Sequence, residues 1–284
     1  MHRAGARGCG TVSLGVLCGL AGMTRQNYYK VRRVRARMGV EEGLVLSLVR
    51  QERARQPRLG ARKLWHMLRG ELAAAGVALG RDRFFGLLGG AGLLLPRVRR
   101  GARTTDSRHG WRVYGNRAKE LVLAGPHELL VSDITYVRTL EGFMYVCLVM
   151  DAFSRKIVGW DGSDSLELEG ALRALAMAAG QLPAGHGAMH HSDRGCQYCS
   201  GAYVGVLASH GIVISMTEEN HCYENAKAER LNGVLKQEYG LGATFRTKGE
   251  VLAGLREAVE LYNGHRPHGS LGYRVPAAVH AVAA

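Results

Sequence analysis

The sequence predicts an α/β protein in which a mixed β-sheet with flanking helices follows small α-helical modules. Three observations carry that class. From about residue 121, three apolar runs follow one another with only short turns between them, the pattern of a strand meander. From residue 166 onward, helical and strand patterns alternate, which gives a mixed sheet and not a doubly wound one. The first 95 residues read as short helices with basic faces.

The elements follow in order. Residues 11–37 form a helical hairpin: Leu14, Val16, Leu17 and Leu20 give one apolar face, Gly22 marks the turn, and Thr24 caps a second helix carrying Arg25, Asn27 and Lys30. In a helix-turn-helix those N-terminal side chains would read the major groove, although an ordinary basic hairpin has the same pattern. Residues 41–95 repeat the theme, with helices around Val45–Val49, from Gly60 through Leu68, and over Arg81–Leu88. Residues 96–120 are an Arg-rich linker, in which Arg99 and Arg100 are placed to track phosphate. The body, 121–284, has expected strands at 128–138, 143–151, 155–161, 187–192 and 212–217, and helices at 166–180, 201–210, 224–238 and 248–263. The expected units are therefore 1–40, 41–95, 96–120 and 121–284.

Charge separates these regions. The chain is 284 residues long with a formal net charge of +14. Residues 1–110 hold 22 Lys and Arg against 6 Asp and Glu, while residues 111–284 hold 16 against 18. A basic arm on a near-neutral body is the footprint of a nucleic-acid-binding segment joined to a catalytic unit, with a solubilising basic surface as the alternative. No apolar run approaches the ~20 residues of a membrane span. Six scattered cysteines make no disulfide framework, so a reducing cytoplasm is expected.

Three carboxylates stand at informative places: Asp133 at the end of an apolar strand, Asp193 between a strand and a glycine turn, and Glu229 on a helix. Gathered at one sheet edge they would make a hard, all-oxygen site suited to Mg²⁺. Asn225, Glu229, Asn232 and Lys236 are spaced by four, three and four residues and share one helix face, with Leu231, Val234 and Leu235 on an apolar side.

Several segments carry a resemblance. Ser132–Tyr136, Asp151–Trp160, His191–Tyr198, Tyr223–Glu229 and Tyr262–His268 followed by Leu271-Gly272-Tyr273 resemble insertion-sequence transposases related to retroviral integrases. Within that family they look like the second-frame product of frameshifting insertion elements. The resemblance implies a ribonuclease-H-like, five-stranded mixed sheet with helix-turn-helix modules before it. It also implies a catalytic triad of Asp133, Asp193 and Glu229 that ligates Mg²⁺, with Mn²⁺ able to substitute. The implied chemistry is end cleavage followed by strand transfer. DNA, both transposon ends and target, is the implied partner. A homo-oligomer on DNA and an upstream-frame partner or frameshift fusion are implied too, in the cytoplasm with the nucleoid. A purely hydrolytic nuclease of the same fold and a non-catalytic repressor are the alternatives.

Other residues compete for attention. Asp151, before Ser154-Arg155, reads as a turn cap or salt-bridge partner. His191 reads as a strand-end residue that orients a carboxylate or touches phosphate. Cys196, Cys199, His221 and Cys222 invite a zinc reading, but the CxxC lacks a second pair at ligand spacing. Arg266 and His268 read either as a helix-ending turn or as phosphate contacts. With Arg25, Asn27, Lys30, Arg99, Arg100, Asn225, Asn232 and Lys236, they complete the expected DNA contacts.

Overall fold

The computed structural model describes residues 12–96, 110–218 and 225–282. Arg99, Arg100, His221 and Cys222 lie outside these residues.

The N-terminal part is helical as expected. Helix α1 is Leu14–Leu20, capped by Ser13, and α2 is Arg25–Arg55, where Thr24 Oγ1 accepts from the Asn27 amide at 3.1 Å. The sequence reading ends one helix near 37 and begins another at 41. Instead α2 runs unbroken for 31 residues, so the division at 40/41 falls inside it. No proline or cap interrupts 38–44, and its two glycines, Gly39 and Gly43, cost only about 1 kcal/mol each. Helices α3 (Ala61–Ala74) and α4 (Arg81–Gly90) pack on the end of α2 around Val45, Val49, Leu64, Leu68, Phe84 and Leu88.

The body is a sheet covered on both faces. Strands β1 (Leu129–Thr139), β2 (Gly142–Asp151) and β3 (Ile157–Ser163) form the meander, and β4 (Met189–Ser192) and β5 (Val213–Met216) extend it in parallel, in the order β3-β2-β1-β4-β5. A two-residue strand, β6 (Thr244–Phe245), adds to β1 beyond β4, one strand more than the sequence suggests. Alternation sorts the strand residues. Leu129, Val131, Met144, Val146 and Leu148 face helices α8 (Ala226–Glu238) and α9 (Lys248–Gly264). Leu130, Cys147, Val149 and Val158 face α5 (Leu168–Ala179), α6 (Cys196–Cys199) and α7 (Gly201–Ser209). Gly159 lets β3 approach α5 closely, since a Cβ there would stand 2.0 Å from the Ala174 carbonyl oxygen. A last helix, α10 (Pro276–Val282), closes the chain and has no counterpart in the sequence reading.

Polar bridges join the arm to the body. Lys63 on α3 donates to Glu238 at 2.8 Å, and Arg266 donates two hydrogen bonds to the same carboxylate at 2.8 and 2.9 Å. Glu52 meets His265 at 3.0 Å, Tyr239 donates to Gln56 at 3.0 Å, and the His66 and Tyr273 rings stack. Residues 110–120 are not a free linker either: the Arg117 and Ala118 amides donate to Ser215 Oγ on β5.

Candidate active site

Asp133 does not end its strand. It lies in the middle of β1, opposite Leu148 of β2, on the face that α8 covers. The reading of an apolar strand that ends in this carboxylate is corrected, while the expected strand over 128–138 matches β1. The strand continues to Thr139 because its backbone is paired on both sides. Strand β4 lies parallel to β1 with Val131 opposite His191, so two residues further on both chains Asp193 comes beside Asp133. Asp193 sits just past the end of β4, and its Oδ1 accepts from the Gly195 amide at 3.0 Å.

Helix α8 delivers the third carboxylate. Ala228, Leu231, Val234 and Leu235 bury its apolar side on the sheet. Two asparagines fix its register: Asn225 donates to the Ser132 carbonyl oxygen at 2.9 Å, and Asn232 donates to Asp133 Oδ2 at 2.7 Å. Glu229 lies between them on the helix and is exposed. The expectation that Asn225 and Asn232 touch DNA is therefore corrected, because both are buried against β1. Their roles are docking the helix and orienting Asp133. The shared polar stripe is real, but half of it faces inward.

The electrostatics are tense. Burial pushes the Asp133 carboxyl up to about 7, the Asp193 charge adds to that, and Glu229 adds more. Hydrogen bonds from the Ile134 amide and Asn232 oppose the rise. The donors are hard oxygens, and a cation would relieve their repulsion, so the residues fit a divalent metal in chemistry and charge. Among the described residues, however, no three His, Cys, Asp or Glu side chains gather closely enough to surround one ion. The three carboxylates act on one another as charges without forming a ready coordination shell.

Behind Asp133 lies a polar layer that the sequence did not reveal. Ser132 Oγ and the Tyr203 hydroxyl lie 2.7 and 3.0 Å from His190 Nε2. Burial, then the neighbouring His191, pushes His190 down to about 3, so its ring is neutral at physiological pH. His191 is buried too, its Nδ1 2.9 Å from Ser215 Oγ, which removes it from phosphate contact. Serine beside the strand aspartate and paired histidines on β4 were the available signals, but their partner Tyr203 comes from a different helix.

The remaining expected residues divide. Arg25, Asn27 and Lys30 are exposed on the first turns of α2. Lys236 is half-buried with its ammonium 4.7 Å from the Tyr136 ring centre. Arg266 is buried and held by Glu238, so its expected phosphate contact is corrected: a guanidinium already forked onto a carboxylate is not available to DNA. His268 is half-buried beside Ser270, and burial, then Arg266, pushes it down to about 4. Asp151 is a turn cap, as one reading had it: fully buried, it accepts from the Ser154 amide and hydroxyl and from the His127 amide, each at 2.7 Å. Cys199 is buried near Met216 while Cys196 is exposed.

Comparison with known proteins bears on this arrangement. Two integrase core domain families match residues 124–222 and 210–276, so Asp133 and Asp193 fall in the first match and Glu229 in the second. A 31 kDa protein of insertion element IS600 from Shigella sonnei is 33% identical over 92% of this chain and 96% of its own length. The transposase for insertion sequence element IS629 from Shigella sonnei is 35% identical over 77% of this chain and 72% of its own. Among solved structures, the catalytic core domain of the HTLV-2 integrase in complex with magnesium superposes with a TM-score of 0.44. It is 15% identical and covers 55% of this chain and 98% of that one.

Proposed function

The chain belongs to the insertion-sequence transposases that carry an integrase core domain, and from that premise we propose that Asp133, Asp193 and Glu229 are its catalytic residues. The family's chemistry is polynucleotidyl transfer, and the sheet order β3-β2-β1-β4-β5 with helices on both faces is the ribonuclease-H-like arrangement. The observation that supports the assignment is the raised Asp133 carboxyl, which feels both Asp193 and Glu229 although the three come from a strand, a loop and a helix.

Asp133 and Asp193 would hold Mg²⁺, or Mn²⁺ in its place, with Glu229 completing the site. When bound, the metal supplies positive charge to an in-line phosphodiester displacement. The protein's own part is positioning. Asn232 fixes Asp133, Asn225 fixes the start of α8, and the neutral His190 layer holds β1 to β4 and α7. Hydrolysis at the transposon end frees a 3′-OH, and that hydroxyl then attacks a target phosphodiester and displaces another 3′-oxygen. The polynucleotide supplies its own nucleophile, so no serine or tyrosine need form a covalent link to DNA.

Arg25, Asn27, Lys30 and Lys236 are the described residues whose placement suits DNA contact. The protein would act as a homo-oligomer on DNA, alone or with an upstream-frame partner or as a frameshift fusion. Among the described residues no helix is long and apolar enough to cross a membrane. The test is cleavage and strand transfer on transposon-end DNA in Mg²⁺ with Asp133→Asn, Asp193→Asn and Glu229→Gln. Each variant should bind DNA and fail in both steps. A variant that cleaves at the parent rate removes its residue from the triad.

A further inference from the structure

Three places within or directly beside the segments that carry the family resemblance hold cations that the carboxylate site does not use: the turn after β2, the first turn of α8, which also carries Glu229, and the loop after the Gly269–Leu271 turn. They converge. Arg155, Lys227 and Arg274, one from each, line a single cavity of about 530 Å³ together with Phe153, Ser270 and Gly272. Among the described residues none of the three cations has an ion-pair partner. The Arg155 Nε is buried without any hydrogen-bond partner. The acid nearest in sequence, Asp151, is already engaged by His127 and Ser154. Arg266, eight residues before Arg274, differs in being ion-paired to Glu238, although its Nη1 is likewise buried without a hydrogen-bond partner.

Arg155 repels Lys227 across the cavity, an effect the Asp151 charge only partly offsets, and a buried guanidinium nitrogen without an acceptor costs free energy. An anion relieves both. Two guanidinium forks and one ammonium suit a tetrahedral oxyanion, and the Ser270 hydroxyl adds a neutral donor. The backbone is shaped for the task as well: Arg155 itself sits at φ 64°, a left-handed conformation that a non-glycine residue adopts only when its surroundings hold it there. Asp151, which grips that turn, pairs with Leu130 of β1, only three residues, or roughly 10 Å, along the strand from Asp133. Lys227 precedes Glu229 by two residues on α8. The cavity therefore shares helix α8 with the carboxylate site, with Lys227 and Glu229 on different sides of that helix.

We propose that this cavity is a phosphate-binding site, filled either by a backbone phosphate of bound DNA or by a free phosphate ion. The DNA source rests on the transposase reading; the chemistry of the cavity does not. The test uses the full-length protein and a Lys227→Gln/Arg274→Gln variant, with Arg155→Gln as a second. Circular dichroism confirms folding, and all binding is measured in EDTA so that the carboxylate site plays no part. In one arm, melting is compared in inorganic phosphate and in chloride at equal ionic strength. The parent should melt higher in phosphate, and the variants should lose that difference. In the other arm, DNA affinity is measured against salt. If DNA fills the cavity, the variants lower the slope of log K on log salt by about 0.9 for each phosphate they no longer neutralise. A phosphate response with unchanged slope assigns the site to the free ion, and a changed slope assigns it to DNA. Variants that match the parent in both arms overturn the proposal.

Discussion

Two regions of the sheet bury an aspartate at neighbouring strands, and they treat it in opposite ways. At the β2–β3 turn Asp151 is wholly enclosed and accepts three hydrogen bonds from one tight loop and the His127 amide. In the cleft between β1, β4 and α8, Asp133 is half-buried and accepts two, and it faces the charges of Asp193 and Glu229. The first carboxylate completes a turn. The second is held at a cost: burial and the neighbouring Asp193 charge push its carboxyl up to about 7, which under the proposed function makes this cleft the place for a bound cation. Burial of an acid is thus not the signal of a site; burial among like charges is.

The comparison can be broken most forcefully through activity. Asp133→Asn should lower end cleavage by about a thousandfold or more, the scale at which removing a key transition-state interaction acts. Asp151→Asn should leave cleavage per folded molecule near the parent rate. Inactive but fully folded Asp151→Asn protein would reverse the two assignments. Stability is the next largest effect, and it should run the other way. In Asp151→Asn an amide NH₂ confronts donors that expect an acceptor, so unfolding free energy should drop by about 2–3 kcal/mol in urea. In Asp133→Asn the strained charge is gone. A carboxyl raised in the fold binds a proton more tightly there than in the unfolded chain, so the parent loses stability as pH rises from 3.8 through about 7. The variant should therefore be more stable than the parent at pH 8 without metal, by about 1–3 kcal/mol, and equal to it near pH 4. Equal stability at pH 8 would contradict the tension assigned to Asp133.

His190 supplies a slope of opposite sign. Its folded value of about 3 lies below the ordinary 6.5, so the unfolded chain takes up protons first and stability falls as pH drops below 6.5. Replacing Tyr203 by Phe keeps the ring packing and removes one hydroxyl from the His190 pair, and a loss of about 1 kcal/mol is expected in urea denaturation. The smallest expected effect concerns the arm. Exposed charge acts through counterions, so neutralising Arg25 or Lys30 in the full chain should reduce the salt slope of DNA binding by about 0.9 each if each meets a phosphate. Neutralising the buried, paired Arg266 should destabilise the protein instead.

Much of this was legible in the residues. Strand and helix periods place nearly every element of the body within a few residues, and Thr24 and Gly22 mark the hairpin where it forms. The three carboxylates were legible as a pattern, and Asp151 as a cap. What failed has one physical cause: a polar side chain does not declare its partner. Asn225 and Asn232 share a stripe with Glu229 and Lys236, yet they turn into the sheet and bond to β1. Arg266 resembles a phosphate contact until Glu238, twenty-eight residues earlier on α8, is found beneath it. The continuity of α2 was missed because Gly39 and Gly43 suggest a break that tertiary packing of Val45 and Val49 overrides.

The most direct measurement is a Mg²⁺ titration of melting temperature at pH 8, for the parent and for Asp133→Asn. A cation that relieves the repulsion among Asp133, Asp193 and Glu229 binds the folded state alone and stabilises it by mass action. The parent should start below the variant and rise with Mg²⁺, while Asp133→Asn stays nearly flat. Parallel curves, or a parent indifferent to Mg²⁺, would contradict the claim that these three carboxylates form a metal-holding catalytic site.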